Sequence, residues 1–224
     1  MLESEAFPAG GSDDVRREAV LPYSLRPMDW DDLDQVGAME REAFPTLWPP
    51  TNYRREMRNR TAEYLVCVRD GEYLTVKRNQ GALRRLFRRN KPEPPERRRF
   101  LAGFLGVWHM AGEAHIVSIA VREDYRRRGL GELLVIGAIE MGMARGAQVV
   151  TLEARVSNEP AIALYAKYGF HEAGIRRRYY ADNHEDAVIM TTDALDSPEY
   201  RALFDRLRHA FDERYGEAVR EYIQ

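Results

Sequence analysis

The chain has 224 residues, enough to bury one substantial core, and its formal net charge is −2, so no global field draws it to nucleic acid or to an anionic membrane. No apolar run approaches the roughly 18 residues of a membrane-spanning helix, and the N-terminus lacks the charged-then-apolar order of a signal peptide. The one cysteine, Cys67, can make no internal disulfide and lies in an apolar run, so it reads as a buried strand residue and the protein as cytoplasmic.

Residues 1–21 carry Gly10-Gly11-Ser12-Asp13-Asp14 and few large apolar groups, and read as a flexible tail. A short strand is expected from Tyr23 to Pro27. Asp29 or Asp31 then caps a helix in which Leu33, Val36, Met39, Glu40 and Phe44 fall at helical spacing. Pro45, Pro49 and Pro50 end that helix and shape a loop holding Leu47 and Trp48. A second helix, Tyr53 to about Arg60, leads to a strand over 64–69.

Residues 75–99 interrupt the pattern, with ten Lys or Arg against Glu93 and Glu96, and with Pro92, Pro94 and Pro95 among them. Two readings stay open. One is a solvated insertion in a hairpin; the other is a weak contact with rRNA or an acidic surface, driven by counterion release. No aromatic stacking platform is interleaved with the charges, which weakens specific RNA readout. The next strand covers 100–108.

A turn at Gly112 opens the stretch around which the chain is organised, His115 to Val135. The β-branched run Ile116–Val121 reads as a strand, and Leu133, Leu134, Ile136, Ala138 and Ile139 begin a helix. Between them sits Arg126-Arg127-Arg128-Gly129-Leu130-Gly131. A strand feeding a Gly-containing turn at a helix N-terminus aims several N–H groups, and the positive end of the helix dipole, at one spot. That reads as an anion site, beside the plainer reading of a solvated Arg-rich turn. It is neither a dinucleotide fingerprint, since position 134 is Leu rather than the third Gly, nor a nucleoside-triphosphate loop, since no G-K-[ST] follows.

After Gly146, residues 149–156 form a strand, Asn158 and Pro160 open a short helix, and Gly169 closes it. The strand–helix–strand crossover implies a parallel pair in a mixed sheet. Strands are expected over 170–178 and 186–192. A last amphipathic helix is expected over 196–224, with Tyr200, Leu203, Phe204, Leu207, Phe211, Tyr215, Val219 and Tyr222 in one stripe. That face docks on its own domain or on a second copy, so the chain reads as a monomer or homodimer. No His/Cys/Asp/Glu cluster has metal-ligand spacing, and no metal is expected.

Thr151, Glu153 and Arg155 alternate with apolar residues and share one face of their strand. A parallel central strand normally has both faces covered, so a polar face there suggests a cleft.

R-x-x-G-x-G after a strand ending Ala120-Val121 resembles the pyrophosphate loop of the GNAT superfamily of acetyl-CoA-dependent N-acetyltransferases. The segments Leu152-Glu153-Ala154-Arg155-Val156-Ser157-Asn158, Ala161-Ile162-Ala163-Leu164-Tyr165 and Arg177-Arg178-Tyr179-Tyr180, with Glu185-Asp186-Ala187, resemble the bacterial ribosomal-protein-alanine N-acetyltransferases. The likeness spans about 23–192, apart from the basic insertion. It implies a mixed α/β acyl-CoA N-acyltransferase fold over 22–195, a twisted mixed sheet with helices on both faces.

It further implies that the backbone of Ile119, Ala120 and Val121 holds the pantetheine arm of acetyl-CoA. Arg126, Arg127, Arg128, Gly129, Leu130, Gly131 and Glu132 hold the pyrophosphate, and Asn158 touches the cofactor. Glu153 is the general base and Tyr165 the general acid, while Glu40, Phe44, Pro45, Tyr179 and Tyr180 face the substrate. The chemistry fits that division. An α-amine of pKa about 8 is already partly neutral, so a carboxylate acting through water suffices, and a tyrosine hydroxyl can protonate the departing thiolate. The partner implied is a protein N-terminus, alanine of a small-subunit ribosomal protein. Kept beside this are a lysine or small-amine acetyltransferase of the same fold, and a non-catalytic acetyl-CoA-binding module that docks on a ribosome or protein.

Overall fold

The computed structural model describes residues 20–46, 49–76 and 96–222. Eight strands form one sheet: β1 Val20–Pro27, β2 Ala62–Val76, β3 Glu96–Met110, β4 Glu113–Val121, β5 Val149–Arg155, β6 Phe170–Arg176, β7 Ala187–Thr192 and β8 Glu217–Arg220. Their order is β6-β7-β5-β4-β3-β2-β1-β8. All neighbours are antiparallel except β4 with β5 and β1 with β8. The helices are α1 Leu33–Ala43, α2 Tyr53–Glu56, α3 Leu130–Ala144, α4 Glu159–Lys167 and α5 Pro198–Tyr215.

Helices cover both faces. On one, Leu133, Leu134, Ile136 and Ile139 of the almost wholly buried α3 pack with Leu25, Leu105, Ile116 and Leu152 of the sheet. On the other, Val36 and Met39 of α1 pack with Tyr53, Val66 and Phe104. Cys67 is fully buried and its thiol is pushed up to about 12 by burial, so it is an inert core residue.

Several elements differ in extent from the sequence reading. The strands expected over 64–69 and 100–108 are 15 residues each, because they pair as a long hairpin as far as Val76 opposite Glu96. The tip of that hairpin is the basic segment, whose residues 77–95 lie outside the described residues, as do Leu47, Trp48 and residues 1–19. Asp29 caps a 3-10 turn at Trp30–Asp32 in a reciprocal box with Asp32, and α1 follows from that turn. The helix expected to reach Arg60 is a single turn.

The largest correction is at the C-terminus, where the helix expected over 196–224 ends at Tyr215. Gly216, at φ 91° and ψ 160°, turns the chain out of the helix, and Glu217–Arg220 becomes a strand parallel to β1. Val219 and Tyr222 fit the helical stripe by coincidence of spacing. In fact Val219 is half exposed on the edge strand, while Tyr222 turns back to donate to Glu140 of α3. The buried faces of Tyr200, Phe204 and Phe211 dock on their own chain.

Candidate active site

The site begins with a fault in β4. Gly106 of β3 pairs with Ser118 and Val107 with Ile116, so Val117 is an extra, bulged residue. Before the bulge Ala114 and Ile116 face α3; after it Ile119 and Val121 do. The bulge also ends the pairing with β5, which runs only from Glu113↔Val149 to Ile116↔Leu152. Beyond Ile116 the two strands part. The N–H of Arg122 donates to Ala102 O at 2.9 Å, so by alternation the N–H and C=O groups of Ile119 and Val121 point away from β3 into the gap. Of the three predicted backbone positions, Ile119 and Val121 therefore offer free edges, and Ala120 faces the sheet.

The loop that follows closes one end of this gap. Arg127 takes a left-handed φ of 62°, as does Gly129 at 83°, which leads into α3 with no side-chain cap. The first bonded N–H of the helix is that of Leu133, to Gly129 O at 2.9 Å, so the N–H groups of Leu130, Gly131 and Glu132 have no partner within the helix. Leu130 is buried and can contribute only its backbone. Glu132 is similar: its carboxylate accepts from Tyr168 Oη at 2.7 Å and pairs with Lys167. The Arg126 and Arg128 side chains bond to loop carbonyls of Val121 and Asp124, and Arg128 also lies over the Tyr125 ring; all three arginines are exposed. Asn158 caps α4, accepting from Ala161 N–H at 3.4 Å. Uncapped N–H groups, a glycine open at Cα and an unpaired strand edge fit a diphosphate with an amide-bearing arm.

On the opposite face of β5 from the α3 core, Glu153 is one residue past the last β4–β5 pair. Its side chain is 9% exposed and sits between His115 Nε2 at 3.0 Å and an Arg176 guanidinium at 3.1 Å. The hydrogen bond to His115 holds the carboxyl below its ordinary value, against the upward push of burial. His115 Nδ1 in turn meets Thr151 Oγ1 at 2.9 Å, its register partner across the parallel pair. His115 was missed in the sequence because five scattered histidines show no spacing, and it reaches Glu153 only through the β4–β5 register. Arg176 was missed because it reaches Glu153 only across β7, the strand that lies between β6 and β5.

Tyr165 lies on the other side of β5, in the core with Ala154 and Phe170, its ring 5.8 Å from that of Phe170. Burial and the nearby Tyr180 push its hydroxyl up to about 12, and it has no hydrogen-bond partner among the described residues. Burial, ahead of its charged neighbours, pushes the Tyr180 hydroxyl up to about 12. Arg155 stacks on the Tyr180 ring at 3.8 Å and is held by Asp182 at 2.8 Å and Glu185 at 3.1 Å. Glu185 also accepts from Ser157, from its hydroxyl first and then its N–H, and these bonds bring it down to about 2. Asp182 in turn accepts from Thr46 Oγ1 at 2.8 Å, tying the loop after α1 to the loop before β7 across the cleft mouth.

The remaining substrate-side positions differ in kind. Tyr179 is half exposed, edge-on to Tyr180, and Phe44 and Pro45 are exposed in the loop after α1. Glu40 is buried, with one oxygen accepting from Tyr53 Oη at 2.8 Å and the other from Thr51 N–H at 3.1 Å. It braces the loop from within, each oxygen holding one such bond.

Residues 33–170 match the family model described as Acetyltransferase (GNAT) family. An N-alpha-acetyltransferase of Sulfurisphaera tokodaii is 34% identical over 75% of this chain and 91% of its own length. A [ribosomal protein bS18]-alanine N-acetyltransferase of Salmonella typhimurium is 47% identical over 92 residues, 40% of this chain and 62% of that protein. Among solved structures, the ribosomal-protein-S18-alanine N-acetyltransferase from Escherichia coli is 27% identical with a TM-score of 0.57, over 79% of this chain and 97% of that one.

Proposed function

Because this chain belongs to the acetyltransferase (GNAT) family and is an acetyl-CoA-dependent N-acetyltransferase, we propose that it acetylates the α-amino group of a protein N-terminus, alanine of a small-subunit ribosomal protein. The observation that carries the reading is the position of Glu153: an ionised carboxylate at the point where β4 and β5 part, fixed by His115 and Arg176.

In this reading acetyl-CoA supplies the activated acetyl group when bound along the gap. Gly131 and its neighbours at the α3 N-terminus bind the diphosphate, and the edge of Ile119 and Val121 binds the arm and offers N–H donors to a carbonyl oxygen gaining charge. Glu153 takes one proton from the ammonium, directly or through one water. Its lowered pKa makes it a weak base, of which an α-amine of pKa about 8, already partly neutral near pH 7, demands less than a lysine of about 10.4. His115 keeps the carboxylate oriented and links it to Thr151. Tyr165, still protonated at neutral pH and on the face of β5 opposite Glu153, returns a proton to the leaving sulfur. Tyr179, Tyr180 and the tied loops at Thr46 and Asp182 form the walls that admit an extended chain end.

Intact-mass analysis of unmodified small-subunit ribosomal proteins incubated with enzyme and acetyl-CoA tests this. One protein beginning with alanine is expected to gain a single acetyl group on its α-amine. Acetylation confined to lysine side chains overturns the reading.

A further inference from the structure

The C-terminal segment, beyond the residues that the family model covers, is built into the cofactor side of the molecule. α5 starts against the end of α4, where the Tyr200 ring lies on Gly169 and its hydroxyl donates to Tyr168 O at 3.0 Å. It finishes at the loop before α3. There the ring of Tyr215 lies on Gly129: a Cβ added to that glycine would meet three ring atoms at 3.0–3.1 Å. The ring is held from behind by Phe211, centroids 5.0 Å apart, itself fully buried. The chain beyond is pinned too, with β8 on β1, Arg220 on Asp212 at 3.1 Å and Tyr222 Oη on Glu140 of α3 at 2.7 Å.

Gly129 is the hinge of the loop. Its left-handed φ sets the direction of α3, and with it the aim of the N–H groups of Leu130, Gly131 and Glu132. A glycine at that angle has wide conformational freedom, and no side chain caps the helix to restrain it. Arg126 and Arg128 bond only to carbonyls of Val121 and Asp124, close by in sequence. The ring of Tyr215 supplies a restraint from outside the loop.

We propose that Tyr215 is a positioning residue for acetyl-CoA: packed on Gly129, it holds the α3 N-terminus aimed at the diphosphate without touching it. The inference rests on the assignment of that loop to the diphosphate. Binding sites fixed in advance spend less interaction energy on ordering, so a loop freed at its hinge binds more weakly.

Calorimetric titration with CoA, which carries no acetyl group to transfer, reads this directly. Tyr215→Leu retains apolar bulk for folding but loses the flat ring, and is expected to weaken CoA about 5- to 10-fold. Tyr215→Phe retains the ring and should bind as wild type. In turnover, KM for acetyl-CoA should rise in parallel in Tyr215→Leu, with kcat and KM for the peptide moving less than about twofold. Wild-type affinity in Tyr215→Leu overturns the inference alone. Tyr215→Phe as weak as Tyr215→Leu also overturns it, since the hydroxyl would then be the working group. Wild-type protein that binds no CoA overturns the loop assignment and the inference together.

Discussion

β4 is one strand with two different halves. From Glu113 to Ile116 it is paired on both sides, with β3 and with β5. From the bulge at Val117 to Val121 it is paired with β3 alone. The paired half puts His115 beside Thr151 and Glu153, because parallel register carries residues of one face into contact. The unpaired half does the opposite: it withholds a neighbour, so its backbone edge is left open. In the proposed reading a single extra residue separates proton chemistry from cofactor binding within nine positions of one strand.

If the halves do separate those tasks, each can be broken alone. The largest effect belongs to Glu153→Gln, which keeps the shape and removes proton acceptance: kcat should fall about 10²–10⁴-fold while acetyl-CoA affinity holds. Its pH dependence sharpens the point. The folded-state pKa of Glu153 is lowered, so its ion pairs contribute stability above the ordinary carboxylate range, and that contribution is lost as pH falls through the depressed value. Through neutral pH the wild-type rate should therefore follow the substrate amine, rising toward about 8, and the Glu153→Gln defect should shrink as pH rises. A flat, near-normal rate from pH 6 to 9 in Glu153→Gln removes it as the base.

Tyr165→Phe tests the face of β5 opposite Glu153. A loss in kcat near the low end of about 10²–10⁴ is expected, and raising pH should not rescue it, because the lost proton goes to the leaving thiolate. Rescue at high pH would move Tyr165 to the amine side.

The two loop glycines give the smallest effects and separate two reasons for being glycine. Gly131 has ordinary helical geometry, and a Cβ there would stand 3.6 Å from Leu164. Gly131→Val should fold normally and lose about tenfold in CoA affinity, because only the ligand meets the new side chain. Gly129→Val adds a strained left-handed residue and a clash with Tyr215, so it should also lose about 1–2 kcal/mol of stability. Thermal melts beside calorimetric titration distinguish the two. Equal stability loss in both variants would mean that the loop is sterically uniform.

Much of the arrangement is legible along the chain. Tyr165 on a short helix after Asn158, and the glycines at a strand–helix junction, follow from local pattern together with a family likeness. The uncapped start of α3 follows from Gly129 having no side chain to offer. Glu40 shows the limit: helical spacing placed it on α1, but only the packing of Tyr53 and Thr51 around it reveals that it braces the loop that follows. The C-terminal stripe shows another, since 3.6-residue spacing continued past Gly216 while the chain did not.

The sequence by itself determined the existence of most strands and helices, the Gly-containing turn before α3 and the polar face of β5, because these depend on alternation and on glycine within a few residues. Tertiary structure alone decided that β4 parts from β5 at Val117, that His115 and Arg176 converge on Glu153 from other strands, and that Tyr215 closes on Gly129 from 86 residues away. Each of those is a contact between residues remote in sequence. Register and packing, which no local pattern encodes, bring them together.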